Sequence, residues 1–334
     1  MKTVIARAFG SHSTIISQQS RISRDGHGLE ILTNRPRQPC YTPCVRRLIV
    51  NADDFGFTCG VNRAIMEAHT HGIVTSSTLM ANGPAFAEAV QLAKTVSQLS
   101  VGCHVVLIDG EPVLAAERVG TLTERNPSVP RFRDGLKTFA ARAITGRVDA
   151  DEIAAEAQAQ IRKIQGAGIV VSHFDTHKHT HLFPRILQAL LQAAAACGVR
   201  ALRNPFGPRL PLRSRQLLAR PRLWTPYAEV RVLRRFAGRF REAVDRKGFL
   251  TPDGTLGIEF TGTLDETLFR AIAHSIPEGT WELVCHPGYN DADLQAARTR
   301  LRQSREIELR VLTLPAAREA LFREGVELIS YHDL

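Results

Sequence analysis

The 334-residue sequence predicts an α/β fold, a single distorted (β/α) barrel of TIM type with insertions over the barrel mouth. Short apolar runs of strand length alternate with stretches of helical period, the composition does not break after residue 47, and polar residues of catalytic type fall just after the runs. Alternation of this kind calls for a mainly parallel sheet, and the C-terminal ends of parallel strands are where barrel enzymes keep their active sites.

The first run is Leu-Ile-Val at 48–50, followed by a helical period over 61–71. Runs at 77–80 and 101–106 come next, with helical periods at 85–94 and 151–166. The run 169–174 precedes the helical period 184–197, and 201–203 is a shorter run. The helical period 228–246 leads to the run 256–260, 264–274 leads to the run 281–285, and 315–323 closes the series. Each run is read as a strand from its apolar continuity and each longer stretch as a helix from its three- and four-residue spacing. Two stretches exceed a minimal barrel: 109–147, rich in Pro, Gly and charge, and 206–246, rich in Arg with Leu, Trp, Tyr and Phe between. Both read as insertions over the mouth, where specificity is built. Residues 1–45, rich in Ser, Arg, Gln and Pro without periodicity, read as a disordered basic extension or as the product of an upstream start codon; 46–334 form the barrel domain. No internal repeat is visible.

A composition of 44% hydrophobic and 23% charged residues excludes collagen, coiled coil and disorder throughout. No apolar run approaches the roughly 20 residues that span a bilayer, and the first residues lack a secretory apolar stretch, so the expectation is a soluble cytoplasmic protein. Six cysteines at irregular positions read as reduced thiols, and Cys40 and Cys44 lack the second pair that a zinc site would need. The net charge of +10 is divided unevenly: +6 on residues 1–47, +11 on 200–247 and −7 on the remainder. A basic tail and a basic segment on an acidic body, without a recognised motif, are not a nucleic-acid footprint, and no nucleic-acid partner is expected.

Four clusters carry chemistry. Asn51-Ala52-Asp53-Asp54-Phe55-Gly56 follows the first run directly. One of its two carboxylates can hold a metal while the other acts as a base, although an isolated Asp-Asp pair is more often a turn or cap. Gly102-Cys103-His104 lies inside an apolar run, where a lone histidine is more often a hydrogen-bonded core residue. The segment from His173 to His181 holds four histidines in nine residues. In an extended chain His173, Asp175, His177, His179 and His181 would share one face. Cys285-His286-Pro287-Gly288 again follows a run, with Pro and Gly fixing the turn that holds His286. Histidines and carboxylates at successive strand ends make the ring that metal-assisted hydrolysis requires. The motifs of serine hydrolases, P-loop enzymes and dinucleotide-binding folds are absent.

Leu-Ile-Val-Asn-Ala-Asp-Asp-Phe-Gly (48–56), Gly-x-His (102–104), Asp-x-His-x-His-x-His (175–181) and Cys-His-Pro (285–287), in that order, resemble the YdjC-like carbohydrate deacetylases from about Arg46 to the C-terminus. The resemblance implies a distorted barrel that removes acetyl groups from N-acetylated amino sugars with one divalent metal. It implies Asp54, His104 and His177 as metal ligands, Asp53 as general base and His286 as the acid that protonates the leaving amine. Arg203 corresponds to an arginine that orients base or substrate, and His179 and His181 to histidines that support the site or contact sugar. One carboxylate and two imidazoles suit Zn2+, while the family leaves Mg2+ open. Asp175-Thr176-His177-Lys178-His179, with Gly110-Glu111-Pro112-Val113-Leu114, is closer to the hopanoid-biosynthesis branch than to the chito-oligosaccharide branch, which carries Asp-Ser-His-His-His. The basic segment 209–241 is read as a solvated arginine face on packing helices. Peripheral contact with an anionic inner membrane face, admitting a glycolipid, is the alternative, as a homodimer is to a monomer. The competing functions are a metal-dependent hydrolase or isomerase acting on another amide or phosphosugar, and a catalytically silent sugar- or lipid-binding protein.

Overall fold

The computed structural model describes residues 45–124, 129–208 and 234–334. The extension expected over 1–45, with Cys40 and Cys44, falls outside them but for Val45, as does most of the basic segment 209–241. Of that segment, Arg234 donates to the Gly207 carbonyl at 2.7 Å and Phe236 packs on the core, so this end of it is tied to the body of the protein. Among the described residues the cysteines are free, and no helix is long and apolar enough to cross a membrane.

The sheet is built around β1 (Arg46–Phe55). β2 (Ser76–Leu79), β3 (Ser100–Val105) and β4 (Phe174–Thr176) extend it on one side. On the other lie β5 (Gly254–Leu256) and β6 (Gly279–Cys285), giving the order β4-β3-β2-β1-β6-β5. β7 (Val326–Ile329) pairs with β1 over Arg46 to Ile49, before β2 joins it at Asn51, and every pairing is parallel. The helices are α1 (Cys59–Thr70), α2 (Phe86–Thr95), α3 (Leu136–Ile144), α4 (Ala150–Gly166) and α5 (Pro184–Ala196), then α6 (Ala237–Arg246), α7 (Glu266–Ser275), α8 (Ala292–Ala296), α9 (Gln303–Thr313) and α10 (Pro315–Arg323). Local signals start several of them. The Thr58 hydroxyl accepts from Val61 N at 3.2 Å, Asp149 from Asp151 N at 2.7 Å and Asp265 from Leu268 N at 2.8 Å, while Pro184 and Pro315 open α5 and α10.

The sheet curls but does not close as an eight-stranded barrel. Seven strands are present among the described residues, and the expected strand at 201–203 makes only single bridges, Leu202 to Phe174 and Ala201 to Leu250. The Asn204 side-chain amide takes the carbonyls of Pro252 and Asp253 (3.2 and 3.0 Å), so a side chain stands where a backbone ladder would continue. The run 169–174 is strand only from Phe174, with Val170 78% exposed, and 256–260 divides into β5 and a helical turn at Ile258–Phe260. α3, α8, α9 and β7 have no counterpart in the sequence reading. In α9 the buried positions include Arg305 and Glu308, which an apolar periodicity does not count.

Alternation along β1 separates two environments. Leu48, Val50 and Ala52 belong to the large apolar core shared with the helices, whereas Ile49 belongs to a small separate cluster with Ala201, Ile329 and Tyr331. Asn51 and Asp53 share the face of Ile49. In a flat sheet β1 and β4 would stand about 14 Å apart. Instead, Asn51 Oδ1 lies 3.2 Å from His173 Nε2, immediately before β4. The His173 ring stacks on Tyr331 at 3.5 Å and passes over Gly102, where a Cβ would meet the ring at 2.5 Å. That close approach is why the third strand carries glycine two residues before His104. Tyr331, just past β7, donates its hydroxyl to Glu282 Oε2 at 2.7 Å and its backbone N–H to Ser76 Oγ at 3.2 Å. Its hydroxyl therefore serves a buried carboxylate, and Tyr331→Phe is expected to lower the unfolding free energy by about 1–3 kcal/mol in a urea melt.

Candidate active site

Arg203 follows the single bridge at 201–202 and is fully buried. Its Nη1 and Nη2 donate to the two oxygens of Asp53 at 2.8 and 2.6 Å, its Nε donates to Glu282 Oε1 at 2.8 Å, and Nη1 lies 2.5 Å from Asp175 Oδ2. Three buried carboxylates thus share one cation. Asp53 also accepts from Asn51 Nδ2 at 2.9 Å. Burial would raise the Asp53 carboxyl, but Arg203, with smaller contributions from His104 and His286, holds it well below the usual range. Burial prevails at Glu282, which is raised despite the same guanidinium.

The second carboxylate of the Asp-Asp pair faces elsewhere because the strand is irregular there. Ala52 pairs with Ser77 but Phe55 with Leu79, so β1 has one residue too many against β2. Asp54 sits in this bulge at φ 69°, a left-handed conformation that costs a non-glycine residue about 1–3 kcal/mol. Its Oδ1 is 3.5 Å from His104 Nε2 and 3.7 Å from His177 Nδ1, and the two imidazole nitrogens are 3.3 Å apart. One ligand atom from each of the three lies within 4.8 Å of the others. His104 Nδ1 meets Asp175 Oδ1 at 2.7 Å; a carboxylate only accepts, so this nitrogen carries a proton and Nε2, which faces Asp54 and His177, is the atom left to ligate once deprotonated. One oxygen and two nitrogens are a fitting donor set for a divalent ion of the zinc type. A second grouping, Asp53, His104 and Asp175, also lies within 4.8 Å, but the Arg203 guanidinium already engages both of its carboxylates.

The histidine run does not stay extended. After Thr176 the chain turns into the helical segment His177–Leu182, with Lys178 and His179 at φ 54° and 53°. His173 is fully buried behind the site, in contact with Asn51 and Tyr331. His177 is partly open, and the Lys178 ammonium pairs with Asp109 at the start of the insertion. His181 is fully buried with Nδ1 2.6 Å from Thr176 Oγ1, so no part of it reaches the surface. His179 lies between, its ring 6.2 Å from His181, pushed down to about 3 by burial and then by Arg203. Neither ring joins the trio of ligand atoms. His286 directs Nε2 to within 3.9 Å of Asp53 Oδ2, and its backbone N–H donates to Glu308 Oε2 at 2.6 Å.

The profile of the YdjC-like protein family matches residues 47–323. The chain belongs to the YdjC-like family. This YdjC-like chain is 33% identical over 290 residues to a carbohydrate deacetylase of Geobacillus stearothermophilus, covering 86% of this chain and 98% of that one. It is 28% identical over 293 residues to a chitooligosaccharide deacetylase of Proteus mirabilis, covering 86% and 98%. A solved structure from Enterococcus faecalis V583, given as a candidate cellobiose-phosphate cleavage protein, superposes with a TM-score of 0.68 at 26% identity, covering 86% of this chain and 98% of that one.

Several residues of this YdjC-like site escape a sequence reading. Glu282 is the single acid in an apolar strand, a signal that could have been read. Arg305 and Glu308 sit three residues apart on α9, whose polar buried face gives no amphipathic pattern, and Tyr331 follows a four-residue strand. Arg203 is the group whose removal the network tolerates least. Arg203→Met leaves three buried carboxylates without their cation, at an expected cost of about 3–5 kcal/mol near pH 8. Without the guanidinium, burial is opposed only by the smaller contributions of His104 and His286 and raises the Asp53 carboxyl, so the variant regains stability by taking up a proton as pH falls from 8 to 5, a range in which the depressed wild-type carboxyl stays ionised and keeps its contribution. The gap between the two in urea melts is expected to be smaller at pH 5 than at pH 8.

Proposed function

We propose that the chain is a carbohydrate deacetylase that hydrolyses the N-acetyl group of an amino sugar, with one divalent cation held by Asp54, His104 and His177. The observation that carries this reading is the meeting of those three ligand atoms beside Asp53 and His286, in a member of a family whose relatives are carbohydrate deacetylases. The cation, when bound, supplies a more acidic water and polarises the acetyl carbonyl.

The remaining work belongs to the side chains. Asp53 is the base: the Arg203 clamp and the Asn51 amide keep it ionised and fix both of its oxygens. Held low, it is ionised at neutral pH, the state from which a base accepts a proton. His286 Nε2, 3.9 Å from Asp53 Oδ2, is placed to give a proton to the departing amine. Glu308, on the backbone N–H of His286, holds the turn that presents the ring. A silent binding protein would need neither the paired base and acid nor a histidine whose Nε2 faces a carboxylate and a second imidazole. The substrate is an acetylated amino sugar in an oligosaccharide or a glycolipid. Lys178, at the mouth in place of the histidine of the chito-oligosaccharide pattern, favours testing the glycolipid alongside the oligosaccharide.

Acetate release from N,N′-diacetylchitobiose and from an N-acetylglucosaminyl lipid tests the reading, with protein stripped of metal and reloaded. Release that depends on metal and falls by about 10²-fold or more in Asp53→Asn is the expected result; no release from either substrate by metal-loaded protein would overturn it. Metal uptake should also displace a proton. Burial lowers His104, but Asp175, Asp53 and Asp54 outweigh it and raise the imidazole to about 9, so at pH 7 it must lose a proton before Nε2 can ligate. Calorimetry in buffers of different ionisation enthalpy is expected to show about one proton released per ion at pH 7 and progressively fewer above pH 9.

A further inference from the structure

Asp54 has two oxygens, and the site uses them differently. Oδ1 faces His104 Nε2 and His177 Nδ1, while Oδ2 receives Nη2 of Arg305. Arg305 is 1% exposed, and Asp54 is its carboxylate partner among the described residues. Its remaining contacts fix the side chain from several directions. Nε donates to the Leu301 carbonyl at 3.2 Å, the guanidinium lies 5.8 Å from the centre of the Phe57 ring, and the stem runs along Gly288. A Cβ at Gly288 would meet Arg305 Cδ at 2.8 Å and Cβ at 3.2 Å, so the glycine of the Cys-His-Pro-Gly turn leaves room for this arginine. Gly288 N also donates to the Arg305 carbonyl at 3.3 Å. The His286 turn, α9 and the bulge of β1 are thereby joined through one residue.

We infer that Arg305 is a positioning residue that reserves one oxygen of Asp54 for the cation, restricting this carboxylate to single-oxygen ligation. The inference rests on the metal site proposed above. A carboxylate free at both oxygens can chelate, and chelating carboxylates suit ions that prefer many oxygen ligands, such as Mn2+ and Ca2+. One with Oδ2 occupied offers a single donor beside two imidazoles, the set that suits Zn2+. The contact also bears on the backbone: Asp54 stays at φ 69°, where Phe57 N donates to its carbonyl at 3.0 Å, and Arg305 fixes the far end of the same residue.

The test compares Zn2+ and Mn2+ binding, by competition with a chromogenic chelator, in the wild type, Arg305→Met and Arg305→Lys. Removing a positive charge near the site strengthens binding of both divalent ions alike, so the ratio of the two dissociation constants isolates ligation geometry from charge. In Arg305→Met the preference for Zn2+ over Mn2+ is expected to fall about tenfold or more, the scale on which groups behind a metal ligand act. Arg305→Lys, which keeps a cationic donor for Oδ2, is expected to retain most of the preference. An unchanged ratio in a folded Arg305→Met protein overturns the inference and leaves the metal site standing. X-ray absorption at the zinc edge of the wild type needs no variant, because a chelating carboxylate brings its carbon closer to the ion than a single-oxygen one. A chelating signature there overturns the inference even if Arg305→Met does not fold. If the wild type binds no more metal than His177→Ala, the proposed metal site fails and the inference falls with it.

Discussion

The Arg203 guanidinium reaches carboxylates from β1, β4 and β6 at once, which a flat sheet would not allow. Fixing one fully buried cation between Asp53, Asp175 and Glu282 requires the sheet to curl until these three strands bring their carboxylates to one point. Each partner is tied again: Asp53 to Asn51, Asp175 to His104, and Glu282 to Tyr331. Buried charge of this kind is weak evidence for net stability, because desolvation offsets most of the attraction. Its effect is on arrangement, since each carboxylate has one position in which its oxygens are satisfied.

Groups of the candidate site are held where regular structure is broken. Asp54 lies in a bulge with a left-handed backbone, and Lys178 and His179 are left-handed just past His177. Each break costs about 1–3 kcal/mol and redirects a side chain that strict alternation would aim elsewhere. Without the bulge, adjacent Asp53 and Asp54 would point to opposite faces of the sheet. With it, one serves the arginine network and the other meets His104 and His177. The contacts of Arg305 and Asp109 at these two breaks are what hold them in place.

Much of this was legible in the residues. The alternation of strands and helices, the parallel sheet and the order of the four clusters followed from periodicity and from motifs placed after apolar runs. The unusual glycines could be seen in the sequence, but their reason could not: Gly102 yields to the ring of His173, 71 residues on, and Gly288 to the stem of Arg305, 17 residues on and in another element. The shared face expected for five residues from His173 to His181 failed because a strand of three residues cannot carry an alternation of nine. Closure into a full barrel failed at 201–204, where side-chain hydrogen bonds replace a ladder.

The sequence by itself determined the class of chemistry. Paired carboxylates, clustered histidines and a histidine on a proline-glycine turn are scarce enough together to identify a hydrolytic site and its family, because such groups are costly to retain without a use. Only the tertiary structure decided how the roles divide between them. Which oxygen of Asp54 faces the imidazoles, which nitrogen of His104 faces Asp54, and which carboxylates share Arg203 depend on partners from 28 residues away (Asp175 and Arg203) to 251 (Asp54 and Arg305). Local periodicity carries no information about such contacts, and burial makes them decisive by leaving each polar atom no alternative partner in water.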